Sequence, residues 1–415
     1  MTTPLALCLF LLAAEVLLNV AARTLDSRRP LPEPPAEAAG ILDPERIAKT
    51  RAYTLARARH ANRADLTGLL LLAGFLLLGG LPWTETLAES FGLGAVPTGL
   101  LFFGVLGMLN MLAELPFDLT LTFGLERRFG FGTITPGTYA LDRLKGLALA
   151  VLLGGTLLSL TLWLFGAYGP GAWVYCWAAA SVLMVALQYI APTWLLPLFN
   201  TFTPLAPGPL REGLEELARR AGFTLSGIFV MDGSRRTTKA NAFFAGMGRK
   251  KRIALYDTLL ANHPDRDIVA VMAHEAGHAA LWHIPVRLGA AVLQIGILFA
   301  LVGLFLCLPS IPAAFGLGGA GVHGALVVFG LFFGPVSLLL NILLSALSRR
   351  QEYQADAYAA ELTADPEALI QALARLSANN LSEISAHPLL VALSWTHPPV
   401  LERIRALSKK NHRKA

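Results

Sequence analysis

Cysteine is scarce in this chain. The three present, Cys8, Cys176 and Cys307, share no paired spacing and fall in apolar stretches. That argues against a disulfide framework or a cysteine metal site and reads as core packing. Charge is scarce too: Asp, Glu, Lys and Arg make up 15% of the 415 residues against 54% hydrophobic, and the mean hydropathy is +0.55. Such a composition excludes a disordered chain and an ordinary water-soluble globule, and it points to a polytopic membrane protein. There is no internal repeat. The net charge of +6 is not gathered into a basic patch on a recognisable nucleic-acid-binding fold, so no nucleic-acid partner is expected.

Long apolar runs are what the chain has in excess. Seven, at residues 4–22, 66–83, 95–115, 146–165, 172–194, 284–308 and 324–347, are long enough to cross a bilayer. The first lacks the basic leader and cleavage site of a signal peptide, and its basic flank follows it at 23–29, so it is expected to be a retained helix. Segments after the first, third, fifth and seventh runs are rich in Lys and Arg, whereas 84–94, 167–171 and 309–323 contain none. By the positive-inside rule the N-terminus faces out and the C-terminus faces the cytoplasm. A composition heavy in Ala, Leu and Gly suits a high-GC bacterial source and hence an inner membrane.

Polar residues interrupt the runs: Glu15 with Asn19, Asn110 with Glu114, then Gln188, Gln294 and Asn341. They fit either hydrogen bonding between helices or a hydrated interior. Four regions are expected: a bundle of five spans over 1–198 with a cytoplasmic loop at 23–63, a cytoplasmic α+β portion over 199–283, two further spans over 284–347, and a helical cytoplasmic portion over 348–415. Within the second region, GIFVM at 227–231 and the stretch 241–256 read as β-structure. GMGRKK at 246–251 reads as the turn of a hairpin. An edge strand there can hold an extended peptide by main-chain pairing, or the sheet can simply support the helix that follows.

That helix carries His274-Glu275-Ala276-Gly277-His278. Histidines four apart project from one helical face and can grip one metal ion, and Glu275 can reach a water beside it. This is the H-E-x-x-H arrangement of zinc proteases. Catalytic zinc takes three protein ligands and keeps one position open. The third is expected in SRRQEYQADAYA at 348–359, where Glu352 and Asp356 are again four apart. Read alone, that spacing fits a solvated helix face equally well. Beside H-E-x-x-H, Glu352 completes a His, His, Glu set, and Asp356 can accept the free ring N–H of a ligand histidine.

These stretches, together with KANAFFAG, KRIALYDTLL, LERRFGFGTITPGTYALD, PLFNTFTPL and THPPVLERI in this order, resemble the type I CaaX prenyl protease family, integral-membrane zinc proteases of gluzincin type. The likeness runs from residue 117 onward. It implies an all-α polytopic membrane protein of seven transmembrane helices around a chamber, with a small α+β zincin-like catalytic portion in the cytoplasm. It implies one Zn²⁺ on His274, His278 and Glu352, Glu275 as general base, and Asp356 close to the ligands. It further implies that Asn241 and Arg403 bind the substrate, Asn241 through the peptide backbone, and that His397 completes the site as an oxyanion or substrate contact. His397 before two prolines would otherwise read as a turn residue. The expected partners are a peptide or protein substrate, lipidated or otherwise hydrophobic, and the lipid bilayer. One stretch departs from the family, the basic run Arg235-Arg236-Thr237-Thr238-Lys239-Ala240 ahead of Asn241. Two other readings share part of the pattern: a membrane quality-control zinc endopeptidase, and a transporter or chamber-forming scaffold with structural zinc. An intact Glu275 argues against the last, since a structural site has no use for a base.

Overall fold

A computed structural model describes residues 2–246 and 250–412. Long helices dominate, and their ends follow local chemistry. Helix α1 (Thr3–Ser27) begins with Pro at its first turn, as does α2 (Pro44–Leu77), where the Asp43 side chain also accepts from Arg46 N at 2.7 Å. Helix α2 runs from the segment between the first two apolar runs into the second without a break. It then stops. Gly79 takes the left-handed conformation (φ +78°), and α3 (Gly80–Glu89) leaves at 65°. The run 66–83 is therefore a bent pair and not one straight span.

Helix α4 (Ala95–Leu119) continues through a π-helical turn to Arg128. A longer stretch, Pro136–Phe199, contains α5 (Pro136–Leu149), α6 (Gly155–Tyr168) and α7 (Trp173–Ile190), and Thr135 caps its start by accepting from Thr138 N. At Gly169 (φ +64°, ψ −157°) the chain reverses, so that Leu157 of α6 and Ala180 of α7 line one cavity.

The sheet-bearing portion begins with β1 (Phe202–Pro204) and α8 (Pro209–Arg220), then builds a four-stranded sheet with β2 (Thr224–Met231), β3 (Ala242–Ala245) and β4 (Lys250–Tyr256). Strand order is β1-β2-β4-β3; β2 and β4 run parallel, and β3 pairs antiparallel with β4 through Phe243 opposite Ala254. The expected hairpin is present and β3 is an edge strand. Residues 247–249 of its turn lie outside the described residues. Strand β1, three residues long, gives no periodic signal in sequence.

Helix α9 (Asp265–Ala280) carries the two histidines and α10 (His283–Leu306) the sixth apolar run. The seventh is bent by 55° between α11 (Gly321–Phe332) and α12 (Gly334–Thr363). Helix α13 (Pro366–Asn380), capped by Asp365 on Ala368 N, and α14 (Val400–His412) close the chain.

Among the described residues, four helical stretches are long and apolar enough to cross a membrane, or six if each bent pair is one span. Large apolar side chains such as Leu70, Val182 and Leu343 stand exposed on these helices, which suits segments surrounded by lipid. The soluble core is built from Leu214 of α8, Ile253 and Leu255 of β4, Ile268 and Met272 of α9, Leu369 and Ile370 of α13 and Ile404 of α14. Ala38, Leu42 and Ile47, from the segment between the first two spans, belong to the same core and tie the N-terminal bundle to it. Cys8 and Cys176 are buried as expected. Cys307 is exposed, because it caps α10 at the helix end and not within the bundle. Two of the intramembrane amides find partners on their own helices: Asn110 Nδ2 donates to Glu114 Oε1 at 3.1 Å, and Asn341 Nδ2 to Ser337 Oγ at 3.3 Å.

Candidate active site

Two helices make the centre by crossing closely. Gly277 of α9 lies against Ala355 of α12; a Cβ at Gly277 would sit 3.1 Å from Ala355 Cα. With only hydrogen on one side and alanine on the other, the backbones approach near enough for Glu352 of α12 to face both histidines of α9. His274 Nε2 is 3.2 Å from His278 Nε2 and 3.3 Å from Glu352 Oε2, and His278 Nε2 is 3.3 Å from Glu352 Oε1. Ligands at about 2.0–2.1 Å from a tetrahedral ion stand roughly 3.3 Å apart, so this triangle has the size of a metal site. His274, His278 and Glu352 form a cluster able to hold a metal ion, and the buried Glu352 Oε2 has no hydrogen-bond partner of its own. A buried, unpartnered carboxylate oxygen beside two imidazoles fits a cation.

The hydrogen bonds behind the histidines fix which nitrogen faces the centre. His274 Nδ1 is 2.8 Å from Asp356 Oδ1, so in the neutral ring Nδ1 carries the hydrogen and Nε2 the lone pair. Asp356 is gripped in turn by Arg403, whose Nε donates to Oδ2 at 2.8 Å and Nη2 to Oδ1 at 2.5 Å. On the other side, His278 Nδ1 meets His283 Nδ1 at 2.9 Å, and His283 Nε2 meets Gln354 Oε1 at 3.1 Å. If Gln354 offers its oxygen, His283 donates from Nε2 and accepts at Nδ1, which leaves His278 Nε2 free as a ligand. Burial pushes the His274 imidazole down, but the Asp356 and Glu352 carboxylates on either side of the ring outweigh that and hold it up at about 9.

His283 and Gln354 were not legible as site residues in the sequence. The signal for His283 is the break before it. Trp282 takes a left-handed conformation (φ +61°), unusual for a large side chain, and folds the start of α10 back onto His278.

The other expected residues surround one cavity of about 820 Å³, lined among others by Asn241, His274, Glu275, Glu352, His397 and Arg403. Asn241 stands at the entry to edge strand β3, with its Oδ1 accepting from Ala242 N at 2.9 Å. His397 reaches in from the loop before α14, its Nε2 3.5 Å from Glu352 Oε1; its side chain is 61% exposed while sitting inside the molecule, because it faces the cavity. Burial in this wall lowers its basicity. Arg403 is only 8% exposed, and its guanidinium is committed to Asp356, with Nη1 3.6 Å from Glu352 Oε2.

A membrane-embedded metallopeptidase is the class of protein that this fold and site define. The CAAX prenyl protease N-terminal family model, five membrane helices, matches residues 26–201, and the peptidase family M48 model matches residues 204–411. The CAAX prenyl protease 1 homolog of Arabidopsis thaliana is 34% identical over 385 residues, covering 91% of each chain. CAAX prenyl protease 1 of Saccharomyces cerevisiae is 32% identical over 399 residues, covering 90% of this chain and 88% of its own. The crystal structure of S. mikatae Ste24p superposes with a TM-score of 0.91 at 29% identity, over 98% of this chain and 99% of that one. The chain belongs to the CAAX prenyl protease 1 family of M48 metallopeptidases.

Proposed function

We propose that this protein is a zinc endopeptidase that cleaves near the C-terminus of CaaX-type peptides, lipidated or otherwise hydrophobic, inside a chamber of seven membrane helices. The observation that carries the reading is the His274, His278 and Glu352 triangle beside Glu275 on a cavity wall shared with edge strand β3. The count of seven rests on taking each bent pair as one pass and the stretch Pro136–Phe199 as two limbs reversing at Gly169. The N-terminus lies outside and the active site in the cytoplasm, on the side of the Lys- and Arg-rich loops, in a bacterial inner membrane. In this reading the bundle over 1–198 and the spans over 284–347 guide substrate, and the portions 199–283 and 348–415 supply the chemistry.

His274, His278 and Glu352 would hold the ion, which supplies Lewis acidity and a water activated near neutral pH. Glu275, one residue beyond the first ligand, takes the proton from the attacking water and returns it to the leaving amine, a role worth about 10²–10⁴-fold in rate. Asp356 and Arg403 act through His274 by fixing its ring. His397 donates to the oxygen on which negative charge develops. Asn241 holds a backbone group of a peptide lying along β3.

The test compares the wild type with Glu275→Gln in lipid vesicles, for zinc content and for hydrolysis of prenylated and unmodified C-terminal peptides. The expected result is zinc in both proteins and cleavage by the wild type alone. A wild type that retains zinc yet cleaves neither peptide would leave a scaffold with structural zinc as the better reading. Rapid digestion of a folded soluble protein would instead favour quality-control proteolysis.

A further inference from the structure

Away from the metal centre, the charges lining the 820 Å³ cavity do not cancel. Arg23 is matched by Asp65 at 2.6 Å. Glu383 is held by Arg51 at 2.9 Å; burial and the neighbouring Asp26 push its carboxyl up to about 8, so at neutral pH it adds little negative charge. The remaining group is unbalanced. Lys239 Nζ donates to Tyr53 Oη at 2.7 Å and to Glu126 Oε2 at 2.9 Å, and the Tyr53 hydroxyl donates to Glu126 Oε1 at 2.6 Å. Arg57 Nη1 donates to the same phenol oxygen at 3.2 Å and stays 4.0 Å from Glu126 Oε1. Two cations share one carboxylate. Arg57 is half exposed on the cavity wall, and its side chain has room to take another acceptor.

The position of this group gives its excess charge a use. Lys239 precedes Asn241 by two residues, roughly 7 Å of extended chain, at the N-terminal end of edge strand β3. A peptide pairing antiparallel with β3 would carry its C-terminal residues over that end. Of the basic run ahead of Asn241, Arg236 is turned away to Asp142, with Nε donating to Oδ2 at 2.8 Å, whereas Lys239 lines the cavity.

We propose that Arg57 and Lys239, braced by Tyr53 and Glu126, form a subsite for the free α-carboxylate at the C-terminus of the peptide substrate. This rests on the endopeptidase reading above and narrows it, because the enzyme then measures the distance from the scissile bond to the chain end. A guanidinium fork suits a carboxylate, and a carboxamide or a chain that continues offers it no matching charge.

The experiment uses the full-length protein in vesicles and two peptides of one sequence, ending in a free acid or a carboxamide. The wild type should favour the acid about 10–100-fold in kcat/KM, mostly through KM, in line with a charge-assisted contact. Arg57→Gln should bring the acid-to-amide ratio to within a few-fold of one, and Arg57→Lys should restore part of it. Equal cleavage of acid and amide by the wild type, or an undiminished ratio in Arg57→Gln, overturns the subsite while leaving the peptidase standing. Cleavage of neither peptide by the wild type overturns the peptidase reading and the subsite with it.

Discussion

Replacing Gly277 by alanine would set a methyl carbon 3.1 Å from Ala355 Cα and 3.2 Å from the Ala355 carbonyl oxygen. Both neighbours are backbone atoms and cannot rotate away, so α9 and α12 must part by a few tenths of an ångström. Two energetic terms then oppose each other. Alanine favours a helix interior over glycine by about 1 kcal/mol, and overpacking costs about 1–3 kcal/mol. The net loss, on the order of 0–2 kcal/mol, is small beside typical domain stabilities of about 5–15 kcal/mol, so the fold should persist. The metal site has less room. It is closed across this same crossing by Glu352 facing His274 and His278 at 3.3 Å, and metal–ligand distances hold to within about 0.2 Å. Gly277→Ala should therefore weaken metal binding about 10-fold or more while moving the unfolding midpoint by only a few degrees. Chelator competition read beside thermal unfolding checks both, and added metal should recover peptidase activity. Wild-type metal affinity in Gly277→Ala would refute the argument that the close crossing sets the ligand distances.

His283→Phe keeps a ring in place but removes the acceptor for His278 Nδ1, and should lower metal affinity about 10–100-fold in the same chelator assay; an unchanged affinity would mean that His278 is oriented by something else. Glu383 has a folded pKa raised to about 8, so stability is full below its unfolded value near 4.5, falls as pH rises toward 8 and is flat beyond. Glu383→Gln should abolish that decline, on the order of a few kcal/mol, in unfolding midpoints measured from pH 5 to 9; a decline that survives the substitution would locate it in other groups. For orientation, with the exposed Cys307 replaced by Ser, Gly319→Cys should react with an impermeant thiol reagent from outside the cell and Lys409→Cys only after permeabilisation. Gly319 suits this because a Cβ there meets nothing within 4 Å, whereas Gly316 has φ +80° and Pro82 Cγ in the way. Reversed labelling would invert the topology.

The helical period made the ligand set readable, because i and i+4 fall on one face whatever surrounds them. His274 and His278 could thus be paired before any fold was known, whereas Glu352 needed the H-E-x-x-H motif and the family resemblance beside it; the structure brings the three together. The bends at Gly79 and between α11 and α12 were hidden, since an apolar run reads alike whether straight or broken. Partnerships between distant segments were also hidden. Lys239 joins Tyr53 and Glu126, 186 and 113 residues away, and Arg403 is turned onto Asp356, 47 residues away. No local pattern encodes such pairs; they follow only from where the bundle and the sheet meet.

Helix α12 is both a membrane limb and the carrier of Glu352. From its start at Gly334 to Glu352 the helical rise amounts to about 27 Å, so it works as a lever with its long arm in lipid. Pivoting at that start, a tilt of one degree displaces the carboxylate by nearly 0.5 Å, more than metal coordination tolerates without strain. Helix α9, rooted in the core through Ile268 and Met272, lies against α12 at Gly277 and Ala355, and Ala359 of α12 belongs to that same core. A tilt of the membrane limb is therefore opposed at the same crossing that holds Glu352 against the two histidines.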